Sequence, residues 1–64
     1  MKLDRKKFDL ARARACMEQK DFEKAGVPKG SLCTAMSGKE IRPATIGRIA
    51  RALGVDVTEI IDED

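Results

Sequence analysis

A chain of 64 residues has room for one small domain, and with apolar residues at 42% and two phenylalanines as its only aromatics it can build only a lean core of Leu, Ile, Val and Ala. Cys16 and Cys33 form no CxxC pair and there is no histidine, so a zinc site would need an all-carboxylate or partner-supplied ligand set; no apolar run approaches the roughly 18 residues of a membrane span, and no signal-peptide core follows Met1. The net charge of +2 hides an asymmetry: all 13 Lys and Arg lie within residues 1–51 against six acids there, which is +7, whereas the remaining residues hold Asp56, Glu59, Asp62, Glu63 and Asp64 and no base.

A basic body with an acidic tail suits nucleic-acid binding by the body, although a solvated surface of mixed sign accounts for most of these charges singly. These features predict a reduced, cytoplasmic chain with no metal, no cofactor and no membrane partner, organised as a single domain over residues 1–64 with a short acidic C-terminal tail. A marginal core favours a bundle with strong local helix signals.

In chain order the signals are helical. Asp4 caps a first helix reaching about Cys16, with Phe8, Ala11 and Ala15 on its core face and Leu10, Ala13 and Met17 widening it. Its first turn, Arg5-Lys6-Lys7, opposes the helix dipole and hints at a nearby anion. A short second helix runs from about Gln19 to Ala25, with Glu18 and Asp21 at capping-box spacing and Gly26 as its left-handed stop. The third starts near Pro28 or Lys29 and stops at Gly38, with Leu32, Ala35 and Met36 inward. The fourth begins just after Pro43, buries Ile46, Ile49, Ala50 and Leu53, and ends at Gly54 with Val55 following. A last helix is capped by Asp56 with Glu59 three residues on, burying Val57, Ile60 and Ile61. The expected fold is therefore all-α, a compact five-helix bundle.

Two helices joined by a short turn containing glycine form the supersecondary unit whose second member lies in the DNA major groove. Small Ala25 and Gly26 are expected to let the two backbones approach closely, and Val27 to plug the turn into the core. Lys29, Gly30, Cys33, Thr34 and Ser37 then face away from the core as candidate base readers.

Over nearly its whole length the chain resembles the lambda-repressor-like helix-turn-helix family, also called the xenobiotic-response-element (XRE) type. The residues that carry the resemblance are Ala25-Gly26-Val27, Ser31-Leu32, Ser37-Gly38-Lys39, Arg42-Pro43-Ala44-Thr45-Ile46 and the run from Ile49 to Ile60. It implies a five-helix domain whose third helix enters the major groove while the following loop touches the phosphate backbone. It further implies a phosphate contact from Gln19, base contacts from Lys29, Gly30 and Thr34, a place near the backbone for Ser31, and phosphate contacts from Lys39 and Arg42.

Three departures qualify the transfer. The second helix is one residue shorter than the family's spacing, which makes Lys20 the alternative to Gln19. Pro28 replaces the usual hydroxyl-bearing cap and removes one phosphate contact. The groove-facing set is poor in readers, since Gly30 has no side chain, Cys33 is nearly inert and Thr34 makes a single hydrogen bond where Gln, Asn or Arg would make two; readout then rests on Lys29 and on DNA shape.

The expected function is that of a DNA-binding transcriptional regulator, a repressor, whose partner is double-stranded DNA. A weak homodimer is expected on a palindromic site, with Val57 and Ile61 of the last helix as candidate contacts. The alternative is an interaction module on the same fold, an antitoxin-like partner-binding protein with weakened DNA binding. Nothing in the chain has the pattern of a Ser-His or Cys-His pair or a phosphate-cradling loop, so no enzyme and no small-molecule ligand is expected. Cys33 reads as an inert thiol rather than a redox sensor, Cys16 as a small core residue, and Asp62, Glu63 and Asp64 as a solvated terminus rather than a cation site.

Overall fold

Local caps decide where each helix begins. Asp4 Oδ1 accepts the backbone N–H groups of Lys6 and Lys7 at 3.0 and 3.1 Å, opening α1 (Arg5–Ala15). Asp21 Oδ2 accepts the N–H of Glu18 at 2.8 Å, half of the expected capping box, at the start of α2 (Gln19–Lys24). Pro28 precedes α3 (Lys29–Met36), and Pro43, whose fixed φ and missing donor suit a first helical position, opens α4 (Pro43–Leu53). The computed structural model describes residues 1–62; Glu63 and Asp64 of the expected acidic tail lie outside them. No helix among the described residues is long and apolar enough to cross a membrane.

Among the described residues the all-α expectation holds, with four α-helices and not five. The last expected helix is a single 3-10 turn, Val57–Glu59. Its Asp56–Glu59 capping pair forms, with Glu59 Oε2 accepting the N–H of Asp56 at 3.0 Å. The chain then leaves the helical path because tertiary bonds claim it: Ile60 is fully buried and its carbonyl accepts the N–H of Asp4 at 2.8 Å.

That bond belongs to a short extended arm at the chain's beginning. Leu3 and Ile61 form an antiparallel bridge, and Asp62 N–H donates to the Lys2 carbonyl at 2.9 Å. At the arm's other end Ile41 N–H donates to the Met1 carbonyl at 2.8 Å, and the Met1 amino group donates to the Ile41 carbonyl at 3.0 Å. Leu3 is buried beneath the arm. It lies outside any helical period, so periodicity does not mark it.

The core gathers Phe8 and Ala11 of α1, Phe22 of α2, Val27 of the turn, Leu32 and Ala35 of α3, Ile46, Ile49, Ala50 and Leu53 of α4, and Ile60. Phe8 and Phe22 are fully buried, with ring centroids 5.8 Å apart and planes tilted by 33°. The apolar face of α1 is narrower than expected: Leu10, Ala13 and Ala15 are exposed, and Met17 is half-buried. Phe8 and Ala11 remain as its buried stripe.

Three helices stop in the same way. After α1, α2 and α4 the chain takes a left-handed residue, and the next N–H reaches back to a carbonyl five residues earlier: Met17 to Arg12 at 3.2 Å, Val27 to Phe22 at 2.8 Å and Val55 to Ala50 at 3.0 Å. Two of the left-handed residues are Gly26 and Gly54, and the third is Cys16, at φ 54°. Cys16 is therefore an exposed helix stop rather than the expected core residue, because the left-handed turn carries its side chain outward.

The basic first turn of α1 is satisfied internally in part. Arg5 pairs with Asp9 at 3.3 Å and donates from Nη1 to the Met36 carbonyl at 3.2 Å, a cation placed on the negative end of α3. Lys7 Nζ donates to the Ile61 carbonyl at 3.4 Å.

Two predictions follow from these caps. A left-handed conformation costs an L-residue roughly 1–2 kcal/mol, partly offset by the greater freedom of glycine in the unfolded chain, so Cys16→Gly should stabilise the domain by about 1 kcal/mol. Thermal melting checks this, as a rise of roughly 4–8 °C for a domain of this size; an unchanged midpoint would mean that Cys16 carries no strain. The second concerns pH. Asp56 is held below its ordinary value of 3.8 chiefly by the Thr58 hydroxyl, then by the Thr58 backbone N–H. A depressed folded-state pKa adds stability that is complete above the unfolded-state value and is lost as pH falls through the folded one. Carboxylate NMR titration should find the Asp56 midpoint below 3.8, and Thr58→Val should return it upward and flatten the loss of stability between the two values.

Candidate nucleic-acid interface

Four residues, Ala25 to Pro28, connect α2 to α3. Val27 is 1% exposed and anchors the connection in the core, as its sequence position predicts. Gly26 acts differently from expectation. A Cβ built on it meets no atom within 4 Å, and Ala25 is exposed, so neither residue serves a close approach of helix backbones. Glycine is needed there for its φ of +92°, which places the Val27 side chain inward while ending α2.

With Leu32 and Ala35 turned into the core and Met36 half-buried, α3 leaves Lys29, Gly30, Cys33, Thr34 and Ser37 exposed and Ser31 half-buried. The loop that follows bends back so that its end and the start of α4 face the first turns of α3. Between them lies an open groove of about 760 Å³, with Pro28, Gly30, Ser31 and Thr34 on one side and Glu40, Ile41, Arg42 and Thr45 on the other.

Four of the expected site residues, Gly30, Ser31, Thr34 and Arg42, thus share one groove. Lys29 and Cys33 are exposed on α3 and Lys39 on the loop, outside the groove's lining. Gln19 and Lys20 stand in the first turn of α2, away from that lining, and Lys20 makes an exposed ion pair with Glu18 at 3.7 Å. Such a pair contributes little and leaves the lysine available to a stronger anion.

Hydrogen bonding sharpens what the exposed hydroxyls can do. Thr34 Oγ1 donates to the Gly30 carbonyl at 2.9 Å, and Ser37 Oγ donates to the Thr34 carbonyl at 2.7 Å. Each hydroxyl proton is committed to its own helix, and each oxygen keeps acceptor capacity. Thr34 therefore presents an acceptor, which in a major groove matches the amino group of adenine or cytosine.

Glu40 and Ile41 of the groove escape the sequence reading. Glu40 places a carboxylate on the wall that carries Arg42, with its Oε2 3.2 Å from the Met1 amino group, and Ile41 adds an apolar side chain. The signal for Glu40 was its place between Lys39 and Arg42; helical periodicity says nothing about either residue because both lie in a loop. The loop's shape comes from the paired backbone bonds between Ile41 and Met1.

Gly30 and Gly47 are helical glycines without a local structural reason. A Cβ at either position meets nothing within 4 Å, and neither has a left-handed φ. Gly30 lies in the groove and Gly47 outside its lining.

Comparison with family models, with curated proteins and with solved structures gives no match to this chain.

Proposed function

We propose that this chain is a helix-turn-helix DNA-binding domain of the lambda-repressor-like type, acting as a transcriptional repressor that places α3 in the major groove. The observation that carries the reading is the shared groove, where Gly30, Ser31 and Thr34 of α3 lie beside Arg42 of the basic loop. With its side chains an α-helix is about 10–12 Å across, which suits a major groove about 12 Å wide. On this reading Lys39 and Arg42 neutralise phosphates and release condensed counterions, Lys29 donates to guanine O6 and N7, and Thr34 accepts from a base amino group. Gln19 or Lys20 adds a phosphate contact from the start of α2. With few bidentate readers, much of the sequence preference comes from DNA shape.

A second reading, an antitoxin-like module that binds another protein, is favoured by the Glu40 carboxylate and the Ile41 side chain in the same groove. Both are poor company for a phosphate and suitable for a polypeptide. Fluorescence anisotropy on a labelled duplex, titrated from low to high salt, separates the two. Binding that weakens linearly on a log–log scale supports the DNA reading, and no binding in low salt rejects it. Selection from a random duplex library then defines the preferred site.

Substitutions give finer tests. Lys39→Ala and Arg42→Ala should each weaken binding nearly uniformly across sequences and reduce the salt slope by about one unit. A slope left untouched would make that residue a solvated charge. Lys29→Ala should cost about 1–3 kcal/mol at one base position, whereas equal loss at every position would reassign it to the backbone.

The two helical glycines provide a paired control. Gly30→Ala and Gly47→Ala should each stabilise the fold by roughly 0.5–1 kcal/mol in a denaturant titration. Only Gly30→Ala should also weaken the duplex complex, since its new methyl projects from the groove wall. Equal affinity for the two variants would place the duplex elsewhere.

A further inference from the structure

Leu10 is the most exposed large apolar side chain among the described residues, at 54%. It stands beside a recess of about 230 Å³ lined by Lys7, Leu10, Ala11, Arg14, Val55 and Glu59. None of these residues lines the groove of the candidate DNA interface. We propose that this patch is a self-association surface whose occupant is a second copy of the chain.

The patch has the two properties that a two-fold pairing requires. An isologous contact brings the same surface of two copies together, so the surface must complement itself. Here an apolar knob and an apolar recess lie side by side, and a two-fold rotation seats Leu10 of each copy against Ala11 and Val55 of the other. The rim divides by sign as well: Lys7 and Arg14 stand on α1, and Glu59 stands on the 3-10 turn. The same rotation sets the cations of one copy against the carboxylate of the other. No ion pair among the described residues engages Arg14 or Glu59, and Lys7 spends one of its three donors on the Ile61 carbonyl.

Other occupants fit less well. A nucleic acid or an anionic membrane surface would meet Lys7 and Arg14 favourably and Glu59 unfavourably, and a duplex would leave Leu10 without an apolar partner. An acidic protein segment would likewise gain from Lys7 and Arg14 but leave Glu59 facing a like charge. Val57 and Ile61, the pairing residues expected from the sequence, are half-buried and packed against the core; so is Val55, which enters only as a wall of the recess, and the exposed apolar contact is Leu10.

Size sets the strength of the pairing. A standard interface takes roughly 800 Å² from each partner, a large part of the 4264 Å² this small body exposes. A patch centred on one helix about 16 Å long covers less than that. The dimer is therefore weak in free solution, and it is favoured wherever two copies are held side by side. The inference goes beyond the DNA reading and stands without it.

Sedimentation equilibrium of the full chain in reducing buffer, with dilution followed by amide NMR, tests the proposal. The expected result is reversible monomer–dimer exchange at roughly submillimolar to millimolar concentration, with concentration-dependent shifts centred on Leu10, Ala11, Arg14, Val55 and Glu59. Leu10→Ser and Arg14→Glu change exposed positions, and circular dichroism melting establishes that each variant remains folded. Each should raise the dimer dissociation constant about tenfold or more, whereas Lys39→Ala should leave it unchanged. A chain that stays monomeric at millimolar concentration overturns the proposal. So do shifts centred on α3, or a Leu10→Ser variant that dimerises like the parent. Since no DNA is present, none of these outcomes bears on duplex binding.

Discussion

The tilted contact between Phe8 and Phe22 is the interaction on which the remaining structure depends. These are the chain's only aromatic side chains, both fully buried, and they join α1 to α2 inside a core otherwise built from aliphatic and small residues. An aromatic pair of this kind adds about 0.5–1.5 kcal/mol beyond its buried area. In a domain of this length, where total stability is a small difference between large terms, that is a substantial share. Phe22 also ties the helix stop to the core, because its carbonyl accepts the Val27 N–H at 2.8 Å while its ring packs within. The exit from α2, and hence the direction of α3, is set at the same residue.

The extended arm performs a different task. Residues 1–4 bond to Ile41 at one end and to Ile60 and Asp62 at the other, so the loop carrying Lys39 and Arg42 is held by backbone bonds to a segment far away in sequence. A basic loop of this length would otherwise sample many shapes, and ordering it on a ligand would cost entropy at the moment of binding. The arm makes much of that ordering part of folding. It also explains the missing fifth helix, since the segment that would have continued it is paired with Leu3 and Asp4.

The two surfaces of functional interest are built from different materials. The groove between α3 and the loop is open and polar on its helix side, with hydroxyl protons turned back into the helix and a lone carboxylate beside Arg42. The patch around Leu10 is a small apolar spot with a rim divided between cations and one acid. The proposed repressor uses the first for DNA and the second for its own copy. Two weak determinants used together yield selectivity that neither supplies alone, because holding two copies on one duplex turns the second contact into an intramolecular one.

Local chemistry by itself determined much of this protein. Asp4, Asp21 and Pro43 mark helix starts, Gly26 and Gly54 mark stops, and the spacing of Ile46, Ile49, Ala50 and Leu53 defines the buried face of α4, all because caps and helical period act within a few residues. The exposed set on α3 was legible for the same reason. Only the tertiary structure decided the rest. Leu10 and Ala15 carry the right spacing for burial, yet no element covers them; Cys16 follows a helical apolar run, yet becomes a left-handed stop. Leu3 and Ile60 are buried by a pairing between opposite ends of the chain, and Glu40 reaches the groove because Ile41 is bonded to Met1. Each of these outcomes depends on contacts between residues distant in sequence, about which periodicity and capping, being local, carry no information.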